Sequence, residues 1–164
     1  MKSVALHNLG CKVNAYELEV MQQKLQDRGY KIVPFDSDAD IYIVNTCTVT
    51  NIADRKSRQM LHKAKKTNPE GIVVAVGCYV QSDTQGARED DAVDLIIGNN
   101  KKKDLVSILE NYMNGVEEEA VIDINHTDEY EEMKLTGTQE HTRAYIKIQD
   151  GCNQFCSYCL IPYA

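Results

Sequence analysis

The chain has 164 residues, 43% hydrophobic and 26% charged, with no Trp, three Pro and six Cys. That composition excludes collagen, coiled coil and bulk disorder and leaves room for one domain with a true core and the start of a second. The formal charge of −7 is uneven: residues 1–113 carry 15 acidic and 15 basic side chains, residues 114–164 carry 10 and 3, so charge does not exclude a nucleic-acid partner for the first part.

No membrane partner is expected. The longest unbroken aliphatic run, Ile72 to Val76, is five residues, where a membrane helix needs roughly 20. Val4-Ala5-Leu6 is interrupted at once by His7 and Asn8, so the apolar centre of a secretory signal is not built. The expected location is cytoplasmic.

In chain order, Val4 to Leu9 reads as a strand. Asn14-Ala15-Tyr16-Glu17 offers a capping-box-like helix start, Leu18, Met21 and Leu25 recur at helical spacing, and Gly29 stops the pattern. Lys31 to Val33 is a strand ended by Pro34, and Ile41 to Val44 is another. A basic amphipathic helix follows, with Ile52, Met60, Leu61 and Ala64 on one face and Arg55, Lys56, Arg58, Lys63, Lys65 and Lys66 elsewhere. Asn68-Pro69-Glu70-Gly71 is turn chemistry, Ile72 to Val76 has the continuous branched character of a buried parallel strand, and Asp94 to Ile97 gives a further strand. Leu105, Ile108, Leu109 and Tyr112 form the last helical stripe, ended by Asn114-Gly115.

Strands alternating with helices predict an α/β fold, a doubly wound, mostly parallel sheet, over residues 1–113. Residues 114–140 read as an acidic, solvated connector with one short strand at Ala120 to Ile124. Residues 141–164 read as the start of a second domain, in which alternating Ala144, Ile146 and Ile148 form a strand running into Asp150-Gly151-Cys152. The second domain cannot bury a core with so little chain, so that loop is expected to be loose.

The cysteines are the chemical signal. Cytosolic thiols are kept reduced, so six of them point to metal ligands, catalytic groups or buried small residues rather than structural disulfides. Cys11, Cys47 and Cys78 each lie just past the carboxyl end of a predicted strand, the rim where an open α/β sheet gathers its ligands. Residues far apart in sequence can converge there. Cys152-Asn-Gln-Phe-Cys156-Ser-Tyr-Cys159 is a compact, purely thiolate C-x3-C-x2-C loop, suited to iron-sulfur clusters or zinc. Three thiolates leave one iron of a four-iron cluster without a protein ligand, and an open iron can bind a substrate or cosubstrate. The competing reading of that loop is a zinc site completed by His141 or His126.

C-x3-C-x2-C with an aromatic before its last Cys resembles the signature of radical S-adenosylmethionine enzymes. Gly10-Cys11, Asn45-Thr46-Cys47 and Gly77-Cys78 resemble the N-terminal domain of the methylthiotransferases of that superfamily. The resemblance runs from Leu9-Gly10-Cys11 to Ile161-Pro162-Tyr163. It implies two [4Fe-4S] clusters, one per Cys triad. Cys152, Cys156 and Cys159 would hold the cluster whose open iron chelates S-adenosylmethionine and reduces it to a 5′-deoxyadenosyl radical, with Tyr158 against the adenine. Cys11, Cys47 and Cys78 would hold an auxiliary cluster where the transferred sulfur is bound and methylated. The rest of the barrel and the RNA-binding module of these enzymes have no counterpart in the chain, which implies that it does not catalyse by itself.

Thr48-Val49-Thr50 and Tyr79-Val80-Gln81 look most like the branch acting on threonylcarbamoyladenosine in the tRNA anticodon stem-loop. Other branches modify isopentenyladenosine in tRNA or an aspartate of a ribosomal protein. The basic helix from Arg55 to Lys66 fits RNA phosphates and equally fits a solvated face. Glu17, Asn14 and Asn45 lie near the predicted rim, but capping and backbone bonding account for them as well, so no general acid or base is assigned. A non-catalytic zinc or iron-sulfur module with a flavodoxin-like domain is the competing class, and a metal-free thiol protein is a third. A flavin is disfavoured because Cys11 sits where its phosphate loop would be.

Overall fold

A computed structural model describes residues 1–116, 118, 120–124, 133 and 147–164. The described strands are β1 (Ser3–Asn8), β2 (Lys31–Val33), β3 (Ile41–Thr46), β4 (Ile72–Gly77) and β5 (Leu95–Ile97). The helices are α1 (Lys12–Asp27), α2 (Asn51–Thr67), α3 (Cys78–Ser82), α4 (Thr84–Glu89) and α5 (Leu105–Met113), with a 3-10 helix at Asn99–Asp104 before α5 and a shorter one at Ile161–Tyr163. The strands form one sheet in the order β2-β1-β3-β4-β5, parallel throughout. This is the expected doubly wound α/β architecture, and the order is one of the two common for it.

The central strands explain themselves. Ile41 to Val44 and Val73 to Val76 are fully buried, because helices cover both faces and every side chain needs an apolar partner. Alternation divides them. Ile41, Ile43, Val74 and Val76 pack with Val20, Met21 and Leu25 of α1 and with Leu105, Ile108 and Leu109 of α5. Tyr42, Val44, Val73 and Ala75 pack with Leu61 and Ala64 of α2 and with Tyr79, Val80 and Ala87 of α3 and α4. So α1 and α5 lie on one face, α2 to α4 on the other.

Four expectations are corrected. α1 starts at Lys12 with Cys11 as its N-cap, so Asn14-x-x-Glu17 is not a capping box; both residues are inside the helix and buried. Ile52 is not on the buried face of α2 but 65% exposed, and Ser57 joins Leu61 and Ala64 there instead. Residues 120–124 form no strand; one backbone bond, Gly98 N–H to Ala120 O at 2.7 Å, and the amide of Gln81 on Ile122 O hold the segment against the sheet edge. Ala120 is buried rather than solvated, since its methyl closes the α1/α5 side of the core. The strand expected through Ala144 and Ile146 falls at residues outside those described, and Ile148 is 89% exposed. The short helices α3 and α4 and the 3-10 turn were not foreseen. No helix of the described residues is long and apolar enough to cross a membrane.

Candidate metal centre at the carboxyl edge of the sheet

Neighbours β1 and β3 send their chains in opposite directions, β1 through α1 to β2 and β3 through α2 to β4. α1 and α2 lie on opposite faces, so a crevice opens between the two loops at this switch point, the place where open α/β sheets bind ligands. Cys11 follows β1 and Cys47 follows β3, so they flank the crevice; Cys78 opens α3 directly after the next strand, β4. Adjacent strands are about 4.8 Å apart, so the three thiols lie on three consecutive loops of one rim.

The loops are built for close approach. Gly10 has φ +97°, and a Cβ there would stand 2.6 Å from both Cβ and Sγ of Cys47, so only glycine lets the loop after β1 cross over that thiol. Gly77, at φ +101°, turns the chain into Cys78, and its Cβ would stand 2.8 Å from Asn45 Oδ1. Asn14 Nδ2 donates to Leu9 O at 2.8 Å and Thr46 O at 2.9 Å, and Asn45 Nδ2 donates to Asn14 O at 2.9 Å. These carboxamides bind the first turn of α1 to the ends of β1 and β3. Cys47 is 4% exposed, and its N–H donates to Ser57 Oγ at 3.0 Å, which in turn lies 3.0 Å from Cys47 O. Thr46 Oγ1 donates to Val76 O at 2.6 Å and accepts from Tyr79 N–H at 3.3 Å, fixing the start of α3 beside Cys78.

The electrostatics set the three thiols apart. Cys11 is exposed, Cys47 buried and Cys78 half-buried. Burial pushes the Cys78 thiol up, opposed by the positive charge of Lys102 and by Asn99 Nδ2, which donates to its Sγ at 3.7 Å. Lys102 is 1% exposed and pairs with Glu17 of α1, 3% exposed, at 2.5 Å. Burial alone would raise the Glu17 carboxyl, but Lys102 and Lys147 outweigh it and hold it below the ordinary value. Asn8, Asn45 and Asn99 each keep a buried Oδ1 without a partner, so the polar layer beneath the rim is unfinished.

Among the described residues no three of His, Cys, Asp and Glu are grouped so as to hold one metal ion. Three soft thiols on one rim are donors of the kind that iron-sulfur clusters and zinc take, and Gly10 and Gly77 let their loops pack directly on Cys47 and Asn45. Cys152 and Cys159 are half-buried and Cys156 is exposed, on a loop where Cys159 N–H donates to Cys156 O at 2.9 Å. Tyr158, expected against an adenine, is 91% exposed, and Phe155, at φ +48°, packs its ring on Tyr163 at 5.7 Å. His126 and His141 lie outside the described residues.

Ser57, Asn99 and Lys102 escaped the sequence reading. Ser57 interrupts an otherwise basic helix and could have been singled out on that ground. Lys102 sits in the run Lys101-Lys102-Lys103, which reads as a solvated face. Half of the basic residues of α2 are neutralised: Arg58 pairs with Asp54, Lys63 with Asp36 and Lys65 with Asp94. Among the described residues Arg55, Lys56 and Lys66 are in no ion pair.

The model of the uncharacterized protein family UPF0004 matches residues 3–98. Threonylcarbamoyladenosine tRNA methylthiotransferase MtaB of Aquifex aeolicus is 41% identical over 98% of this chain and 40% of its own length. The protein of the same name in Bacillus subtilis is 39% identical over 100% of this chain and 37% of its own. A tRNA-2-methylthio-N(6)-dimethylallyladenosine synthase of Methylacidiphilum infernorum is 30% identical over 99% of this chain and 36% of its own. The chain thus spans about two fifths of the length of the curated relatives it matches. Among solved structures, the regulatory domain of the repressor of iron transport regulator RitR superposes with a TM-score of 0.50 at 15% identity, covering 70% of this chain and 97% of that one. That likeness concerns the fold alone.

Proposed function

The chain belongs to the uncharacterized protein family UPF0004, and from that premise we propose that it is the N-terminal portion of a tRNA methylthiotransferase. In this reading the substrate is threonylcarbamoyladenosine in the anticodon stem-loop. The observation that supports it is the position of Cys11, Cys47 and Cys78 on three consecutive loops along the carboxyl edge of the sheet. The relatives that match the whole chain support the substrate class: those named for threonylcarbamoyladenosine reach 41% and 39% identity, against 30% for one named for dimethylallyladenosine.

Cys11, Cys47 and Cys78 would hold one [4Fe-4S] cluster and Cys152, Cys156 and Cys159 another, with S-adenosylmethionine beside the second and Tyr158 toward its adenine. When bound, these groups supply the radical and sulfur-transfer chemistry; the chain's work is to place them and keep water away. Its residues fit that work. Ser57 and Thr46 hold the Cys47 and Cys78 loops, Gly10 lets the Cys11 loop close over Cys47, and Lys102 places a buried cation near Cys78 to offset the charge of thiolates.

Anaerobic reconstitution with iron and sulfide tests the reading, run on the parent and on two triple Cys→Ala variants, one per triad. The expected result is a brown protein with iron and sulfide in equal numbers and a paramagnetic cluster signal on reduction. Removal of either triad should abolish one share of the iron and leave the other. A colourless protein that binds zinc and no sulfide would overturn the cluster assignment. The substrate is tested by nucleoside analysis of tRNA from source cells lacking the gene. Loss of the methylthio form of threonylcarbamoyladenosine supports the reading, and loss of the dimethylallyl form instead overturns it.

A further inference from the structure

One buried group is shared by the two thiol-bearing parts of the chain. Glu17 Oε2 takes Lys102, on the 3-10 helix that follows β5, and Glu17 Oε1 takes Lys147 at 2.8 Å. Lys147 stands five residues before Cys152, its side chain is only 3% exposed, and it also bonds Asp150 Oδ2 at 2.8 Å. Glu17 and Asp150 thus face Lys102 and Lys147. Both lysines lean on the one carboxylate between them, because a charge removed from water needs close partners.

We infer that Glu17 is a positioning residue, a clasp that seats the segment entering Cys152-x3-Cys156-x2-Cys159 on α1 and so fixes how the second thiol set approaches the first. Five residues reach at most about 18 Å, so a clasped Lys147 confines Cys152 to the neighbourhood of the rim, while a released one does not. Only the purpose of that confinement rests on the proposed function; the clasp itself is a property of the metal-free chain and is tested there.

The test is amine labelling of the 164-residue metal-free chain, with the modification of each lysine followed by peptide mass spectrometry. In the parent, Lys147 should react at least tenfold more slowly than the exposed Lys56 and Lys66 of α2. Glu17→Gln should bring Lys147 to the rate of Lys66 while Lys65, paired with Asp94 at 2.9 Å, keeps its protection. That second condition shows that the domain is still folded. Lys147→Gln leaves the Glu17–Lys102 pair in place, and Cys152 should then alkylate severalfold faster with Cys47 unchanged. Lys147→Arg, which keeps the charge, should restore slow alkylation. Equal labelling of Lys147 and Lys66 in the parent, or a Cys152 rate unaffected by Lys147→Gln, would overturn the clasp. Failure of cluster reconstitution with the labelling pattern intact would count against the proposed function alone.

Discussion

Gly10 shows how one hydrogen in place of a methyl decides the geometry of a site. At φ +97°, with a Cβ position 2.6 Å from Cys47, Gly10→Ala meets both backbone strain and a collision with the thiol. It should lower stability by about 1–3 kcal/mol, read as a fall in the urea midpoint, and impair cluster loading beyond that loss, because the Cys11 loop is lifted off Cys47. Cysteine alkylation of the metal-free parent should follow exposure, with Cys11 and Cys156 first and Cys47 last; modification of Cys47 as fast as Cys11 would contradict the described rim. The strand-end placement of Cys11, Cys47 and Cys78 was legible in the sequence because each follows an apolar run whose end is marked by Gly or Asn. Asn14 and Glu17 were not. Asn-x-x-Glu has the form of a cap, and only the packing of α1 on the sheet shows that both side chains face inward, Asn14 to tie two strand ends together and Glu17 to pair with lysines. Lys102 was hidden for the converse reason: in a run of three lysines nothing local says which one turns inside.

Among elements, α2 joins the site to the rest of the fold most directly. Thr50 caps it, its Oγ1 accepting from Ala53 N–H at 3.1 Å, with Asp54 in the first turn and Lys65 and Lys66 in the last, as the helix dipole favours. Two turns in, Ser57 holds Cys47 by its N–H. Thr50→Ala should therefore cost about 1 kcal/mol and, because the frayed turn lies between Cys47 and Ser57, raise the alkylation rate of Cys47. A fall in thermal midpoint with no change at Cys47 would show that the cap and the thiol are independent. The helix was legible from its period, but its inner face was not, since Ile52 lies beyond the edge of the sheet while a serine is enclosed. The central strands were legible because residues buried on both faces must be apolar in succession. α3 and α4 were missed because Cys78–Ser82 and Thr84–Glu89 are too short to show a period.

At the scale of the whole molecule, the balance of buried charge decides how the fold responds to acid. Glu17 faces Lys102 and Lys147, with Asp150 behind Lys147, and its carboxyl is held below the ordinary value of 4.5 although burial pulls the other way. A carboxylate depressed on folding contributes stability that is complete above its unfolded value and is lost as pH falls through the folded one. Glu17→Gln should accordingly be about 3–5 kcal/mol less stable than the parent near neutral pH, the cost of removing the counter-charge of buried Lys102 and one of those of Lys147. The gap should narrow below the ordinary Glu value as the parent's own carboxyl takes up a proton. Urea unfolding of both chains across that range measures it. Salt distinguishes this pair from the exposed ones: Arg28–Glu110 and Lys63–Asp36 lie at the surface, where about 1 M salt screens beyond roughly 3 Å, whereas the gap due to Glu17 should persist. A difference that vanished in salt, or one that did not change with pH, would mean that water reaches Glu17 and that the two thiol-bearing parts are not joined through it.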